Sequence, residues 1–253
     1  LASTNPAIVQ YDPAYAYELR HILRDGIVRM YGDGSDGRDQ DVMYYLTIYN
    51  EPIHQPAEPE NVDVEGILKG IYRIEEPEGD GPTVQLFASG VGVPWARDAR
   101  DMLREDWGVS AGVWSVTSWH ELRKEGLEVD EFNYLNPDKE PRKAYLTQKL
   151  EGEAGPVIAT SDFEKQVQDA IRPWVPTDYY VLGANGFGIA DTRAAARRHF
   201  RIDSASMVVR ALQALADRGE IDRSKVGEAI KKYELLDAEA GEDGLANPDE
   251  PAV

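Results

Sequence analysis

Few residue patterns in this chain could carry out chemistry, and each has a simpler reading beside it. Gly32-Asp33-Gly34 and Gly79-Asp80-Gly81 match the tripeptide that opens a diphosphate and Mg²⁺ site. There the glycines admit the phosphates, and the Asp with a later Asn-Asn pair supplies oxygen ligands. No Asn-Asn pair occurs in the chain, and turn chemistry accounts for both tripeptides. Ser89-Gly90-Val91-Gly92 lies between a predicted strand and a predicted helix, where a GxG can bring phosphates to a helix N-terminus. The third glycine of the dinucleotide fingerprint is missing, so a tight strand-to-helix turn is the stronger reading. Gly183, Gly186 and Gly188 follow another strand. Their order is not the nucleotide pattern, and they form either a contact loop or a turn before a helix capped by Asp191. Asp33 to Asp41 has its glycines out of place for a calcium loop, and no Glu closes it at the twelfth position. His120-Glu121 would need a second His at position 124 to hold zinc, and that residue is Lys124. Glu121 more simply completes a capping box with Ser118. Asn50, Glu51 and His54 follow a buried strand, and ligands of α/β sheets bind beyond such strand ends. Linker residues satisfying turn hydrogen bonds are the plainer account of all three.

Composition narrows the classes. Lys plus Arg number 27 against 46 Asp plus Glu, a net charge of −19. Such a chain repels a phosphate backbone and an anionic bilayer surface, so neither nucleic acid nor membrane is an expected partner. There is no Cys, which excludes disulfides, thiolate metal sites and a cysteine nucleophile. The four His are not paired at metal-ligand spacing, so no metal site is expected. His21 and His199 read as surface or packing residues. No apolar run approaches the roughly 20 residues needed to span a bilayer. No basic, apolar leader opens the chain, and a cytoplasmic location is the expectation.

The elements that must position these residues alternate. Ile8 and Val9 start a short strand. Asp12-Pro13 reads as an N-cap with Pro at the first helical position. Tyr15, Leu19, Ile22, Leu23, Ile27 and Met30 then recur at helical spacing as far as Gly32. Val42 to Tyr49 is β-branched and aromatic, a buried strand. Asn50 to Asn61 carries three prolines and reads as an interdomain linker. Strands are then expected at 71–74, 84–88, 113–116, 157–159 and 179–182. Helices are expected at 94–107, from 118 or 119 to 124, from Asp162 to 171, and at 192–200, 204–218 and 224–233; residues 144–150 fit helix or strand. Alternation of this kind predicts an α/β fold with a mostly parallel sheet and helices on both faces. Glu234 to Val253 holds seven acidic residues and no basic one, which reads as a disordered tail. The division expected is 1–61, the end of one domain plus linker, then 62–233, a second domain, then the tail at 234–253.

Longer words are more specific. YDPAYAYELRHILRDGIVRMYG (11–32), YYLTIYNEPIHQPAEPE (44–60), EGILKGIYRIE (65–75), SVTSWHELRKEG (115–126) and VLGANGFGIADTRAAARRHF (181–200) together resemble one family. It is the homodimeric, decarboxylating first component of the bacterial pyruvate dehydrogenase complex, transketolase-like in fold. The resemblance covers nearly all of the chain up to about Tyr233. It implies the end of the pyrimidine-binding domain over 1–61 and the whole transketolase-like C-terminal domain over 62–233. It further implies thiamine diphosphate and Mg²⁺ as cofactors, held mainly by residues outside this chain. In that family the metal motif, the glutamate that activates the aminopyrimidine and a His-rich active-site loop all belong upstream of Leu1. No catalytic residue is therefore expected in this chain, and this stretch alone should be inactive. A first residue other than Met fits a cut or a processed end near that loop.

The implied activity is decarboxylation of pyruvate followed by reductive acetylation of a lipoyl group on an acyltransferase component. The implied partners are the remainder of the subunit, a second subunit of a homodimer, and that acyltransferase. Asn50, Glu51 and His54 become substrate-entrance candidates, since the matching strand of transketolases ends near the entrance. Two alternatives stand: a non-catalytic dimerisation or partner-docking module, acting through the GANGFG loop or the acidic surface, and a related 2-oxo acid dehydrogenase subunit.

Overall fold

The computed structural model describes residues 2–32 and 40–237. The first glycine tripeptide beyond Gly32, nearly all of the loop over 33–41, residue 1 and most of the acidic tail lie outside the described residues.

The first unit is small. Strand β1 (Ile8–Tyr11) leads through helix α1 (Ala16–Tyr31) to strand β2 (Met43–Leu46), and the two strands pair in parallel from Ile8 opposite Met43 to Tyr11 opposite Leu46. Asp12 does not cap α1. The N-cap is Tyr15, and Asp12 is buried, its carboxylate turned instead to Thr47 and Tyr49. A tertiary contact has taken the side chain that the local Asp-Pro pattern assigned to a helix end. The strand predicted over 42–49 is half as long; past its end Thr47 N still donates to Tyr11 O, and the Thr47 and Tyr49 side chains turn to the same carboxylate.

The second unit opens with a short helix α2 (Val64–Lys69). Asp63 accepts from Gly66 N at its start, and Gly70, at φ 105°, ends it. Strand β3 (Tyr72–Glu75) follows, then β4 (Thr83–Ala88), α3 (Gly92–Trp107), β5 (Ser110–Ser115) and α4 (Trp119–Leu135). Next come α5 (Tyr145–Lys149), β6 (Val157–Thr160), α6 (Lys165–Asp169), β7 (Tyr179–Leu182), α7 (Arg193–Phe200), α8 (Ser204–Asp217) and α9 (Ser224–Lys232). The sheet order is β3-β5-β4-β6-β7. Four strands are parallel, and β3 is an antiparallel edge.

Alternation along β4 shows how the sheet is covered. Val84, Leu86 and Ala88 join a core with α3, α8 and α9, while Phe87 joins a second core with Trp114, Trp119, Leu122 and Leu146 on the other face. Successive side chains of a strand point to opposite faces, and burial of both is what a doubly covered parallel sheet requires. The architecture is therefore α/β with a mostly parallel sheet and helices on both faces. Among the described residues no helix is long and apolar enough to cross a membrane.

Two helices differ from their expected extents. α4 runs eleven residues past Lys124, to Leu135, through Gly126, which reads locally as a stop. That glycine is required by packing, since a Cβ there would lie 2.4 Å from the Trp174 ring. Asp162 does not cap α6. Glu164 takes that place, accepting from Gln166 N, and Asp162 turns toward Tyr49. The ambiguous stretch over 144–150 is helical, and α7 is capped by Thr192 rather than Asp191. Ser118 caps α4 by accepting from Glu121 N. Its own amide donates to Gly70 O, and Glu121 Oε1 is buried with no partner among the described residues, so only half of the capping box forms.

Candidate functional site

The polar residues converge where the parallel strands end. Backbone bonds bring the end of β1 there: Asp12 N donates to Thr117 O at 2.7 Å, just past β5, and Gly90 N, just past β4, donates to Asp12 O at 3.1 Å. The Asp12 carboxylate is 4% exposed. Its Oδ1 accepts from Thr47 Oγ1 at 2.6 Å and from Tyr49 OH at 2.7 Å. The Tyr49 hydroxyl also lies 3.2 Å from Asp162 Oδ1, beyond the end of β6. A phenol carries one hydrogen, so it cannot serve both carboxylates at once. Burial pushes Asp12 up to about 6, against the pull of its hydroxyl donors, with Asp162 adding to the rise. Burial raises Asp162 as well. Burial thus makes it costly for both acids to ionise together.

This cluster sets a pH dependence whose sign follows from linkage. A carboxyl whose pKa is higher in the folded chain takes up a proton on folding, so its stabilisation is present at low pH and lost as pH rises toward its folded value. Between about pH 4 and pH 6 the Asp12 contribution should fall with a slope of at most about 1.4 kcal/mol per pH unit. Asp12→Asn should remove that slope. Urea unfolding of both proteins across the window reads the difference, and parallel curves would contradict it.

Gly90 explains its motif without a phosphate. It sits at φ 50°, and a Cβ would stand 2.5 Å from Tyr49 OH. The glycine admits the tyrosine ring, not a ligand. Gly90→Ala should cost about 2 kcal/mol and displace Tyr49. Gly79→Ala is the control, since Gly79 has φ 104° but open space around it; it should lose only the backbone share, about 1 kcal/mol.

The three sequence candidates part company in the structure. Asn50 Oδ1 accepts from Arg193 of α7 at 3.3 Å. Glu51 pairs closely with Arg197 of the same helix, their side chains 6% and 9% exposed, and Arg193 Nε stands 3.8 Å away. The Arg197 guanidinium also lies over the Trp95 ring at 4.6 Å. Asn50 and Glu51 thus clamp the linker to α7. His54 is exposed and does not join them. His21, by contrast, is tied at 2.8 Å to Glu58 in the linker.

Sequence reasoning missed the most enclosed acid. Glu18 of α1 is fully buried. It accepts from Ala14 N, Tyr15 N, Tyr72 OH and Ser115 Oγ at 2.6 to 3.0 Å. Tyr72 spends its hydrogen on Glu18, so Tyr17, 2.6 Å away, donates to Tyr72. The signal was present: Glu18 falls on the buried face of α1, between Tyr15 and Ile22.

None of this is a diphosphate or metal site. Among the described residues no group of three His, Cys, Asp or Glu could hold a metal ion, and Gly79-Asp80-Gly81 lies in a surface loop. The described residues present do not fit thiamine diphosphate and Mg²⁺.

Comparison with known proteins places the chain in a family. Residues 70–203 match the transketolase-like C-terminal domain family, and residues 1–56 match the pyruvate dehydrogenase E1 component middle domain. The pyruvate dehydrogenase E1 component of Mycolicibacterium smegmatis is 51% identical over 241 residues, 95% of this chain and 26% of the relative. That of Mycobacterium tuberculosis is 46% identical, covering 98% of this chain and 26% of the relative. That of Escherichia coli is 43% identical, covering 92% and 26%. The chain thus spans about a quarter of the length of these relatives. Transketolases of Leishmania mexicana and Campylobacter jejuni share the fold, with TM-scores of 0.54 at 13% and 17% identity. The first covers 85% of this chain and 26% of its own, the second 83% and 27%. The chain belongs to the transketolase-like C-terminal domain family, preceded by the end of a pyruvate dehydrogenase E1 middle domain.

Proposed function

We propose that this chain is the C-terminal portion of a thiamine-dependent pyruvate dehydrogenase subunit. That subunit would decarboxylate pyruvate and reductively acetylate the lipoyl group of an acyltransferase component. The observation that carries the reading is the 51% identity over 95% of the chain to an E1 component. Thiamine diphosphate supplies the carbanion chemistry of such enzymes, and in this reading residues outside the chain hold it with Mg²⁺. The chain's own residues would dock the pyrimidine-domain end onto the sheet, through Asp12, Glu18 and the Glu51–Arg197 pair. The proposed partners are the rest of the subunit, a second subunit of a homodimer and the acyltransferase, in the cytoplasm.

The test compares two preparations in the presence of thiamine diphosphate, Mg²⁺, pyruvate and a lipoyl domain. A polypeptide that carries this chain at the full length of the relatives should release carbon dioxide and acetylate the lipoyl domain. The 253-residue chain should do neither. Turnover of 2-oxoglutarate or a branched-chain 2-oxo acid in place of pyruvate would transfer the reading to a related subunit. A partner-docking module remains the second reading because Phe187, in the GANGFG loop, is 97% exposed and Ile189 beside it 40% exposed.

A further inference from the structure

Asparagine is followed by glycine once in the chain, at Asn185-Gly186. Asn5, Asn136 and Asn247 precede proline, which has no N–H. Asn50, Asn61 and Asn133 precede Glu51, Val62 and Tyr134, whose side chains shield the next amide.

The pair lies in the loop between β7 and α7. Up to Asn185 the loop is held to the domain: Ala184 N donates to Phe163 O at 2.9 Å, and Asn185 N to Gly183 O at 3.0 Å. From Asn185 to Arg193 every residue is exposed. Gly186 sits at φ 95° with nothing within 4 Å of the place a Cβ would take. Its N–H makes no hydrogen bond among the described residues.

The Asn185 side chain is held by its oxygen alone. Oδ1 accepts from Lys165 N at 3.0 Å, at the first residue of α6, and Nδ2 has no partner among the described residues. A donor on an amide oxygen draws electrons from the carbonyl carbon. It also meets the negative charge that gathers on that oxygen when a nucleophile adds, as an oxyanion-hole donor does. The neighbouring main-chain nitrogen, Gly186 N, is uncommitted and unshielded. Glycine also lets the chain swing that nitrogen toward Cγ at little steric cost.

We propose that Asn185 is a self-modification site, where Gly186 N attacks the side-chain amide polarised by Lys165 N–H and water completes its conversion to aspartate and isoaspartate.

The atoms balance in two steps. A bond forms between Gly186 N and Asn185 Cγ while the Cγ–Nδ2 bond breaks. Nδ2 leaves as ammonia with the hydrogen that Gly186 N gives up, and a cyclic imide remains. Water then opens the ring. Attack at Cγ restores the main chain as aspartate. Attack at the Asn185 main-chain carbonyl routes the chain through Cβ and Cγ, as isoaspartate. The sum is amide plus water giving carboxylate plus ammonium, with nothing oxidised or reduced. Both products place a negative charge beside the start of α6. Isoaspartate also lengthens the main chain by one carbon just before Phe187, and so re-aims a ring that is 97% exposed.

The test is a timed incubation of the intact polypeptide that carries this chain, followed by peptide mapping by mass. It reads mass and not turnover, so its outcome is independent of the proposed activity. The peptide holding Asn185 should gain the mass difference between an amide and a carboxylic acid. The rate should rise with hydroxide, since the attacking nitrogen must lose its proton. Isoaspartate should be among the products, seen as resistance to a protease that cuts before aspartate. Lys165→Pro should slow the gain about tenfold, less than an enclosed oxyanion donor gives because this loop is wet. Proline fits there: Lys165 is the first residue of α6, and Glu164 before it is already extended at φ −63° and ψ 144°. Lys165→Ala keeps the amide donor and should react at the parent rate. An Asn185 peptide that stays unchanged overturns the proposal. So do Asn50 or Asn61 gaining mass as fast, Lys165→Pro reacting at the parent rate, or Lys165→Ala slowed as much as the proline variant.

Discussion

Glu18→Ala should cost on the order of 3–5 kcal/mol, more than the loss of any one hydrogen bond would account for. The carboxylate is the common acceptor of two backbone amides and two hydroxyls. Alanine leaves Ala14 N, Tyr15 N, Tyr72 OH and Ser115 Oγ facing a hole. The two amides belong to Tyr15, the N-cap, and Ala14, the residue before it, where no intrahelical carbonyl can replace the acceptor. The hydroxyls belong to β3 and β5, so the same carboxylate ties the helix to the sheet edge. Glu18→Gln should lose less, roughly 2 kcal/mol, because one oxygen remains while the amide hydrogens meet donors. Tyr72→Phe should lose about 1–2 kcal/mol, since it removes one donor and strands the Tyr17 hydroxyl. Urea midpoints of the three variants should follow the order Ala, Gln, Phe from least to most stable. A Glu18→Ala protein within about 1 kcal/mol of the parent would show that the carboxylate is not the tie between helix and sheet.

How much of this was legible in the sequence differs by element. Strands β4, β6 and β7 and helices α3, α7, α8 and α9 stand within about two residues of where periodicity and turn residues put them. Each is long or apolar enough for local pattern to decide. Helix α2 was not legible: six residues fall below the window in which a helical period can be counted. The end of α4 was hidden by Gly126, whose absent side chain serves Trp174 and not a helix stop. Asp12 and Asp162 mislead for one reason. Both stand where a cap residue belongs, and both are claimed by Tyr49, 37 and 113 residues away in sequence. No local rule anticipates a partner at that distance. Asn50 and Glu51 stand out in the sequence for their place after a strand, and the structure puts both against α7. Their partner Arg197 carries no sequence mark, being one of four arginines between positions 193 and 201.

That partnership leads to the second large effect. Arg197→Ala should destabilise the protein by about 3 kcal/mol, because it removes the close cation from a carboxylate that is only 6% exposed. Arg193 Nε, 3.8 Å off, is too distant to replace the hydrogen bond. The variant also strips the guanidinium from the Trp95 face, a contact worth up to about 1 kcal/mol. Breaking a buried pair is costlier than replacing it, since the surviving charge keeps its desolvation penalty. Arg197→Met combined with Glu51→Leu should therefore be more stable than Arg197→Ala by about 2 kcal/mol, although it alters twice as many residues. The same comparison separates two roles for Glu51. If it only clamps the linker to α7, turnover by the complete subunit should recover in the double variant together with the urea midpoint. If Glu51 meets substrate, stability returns and turnover does not, because leucine restores packing but offers no oxygen.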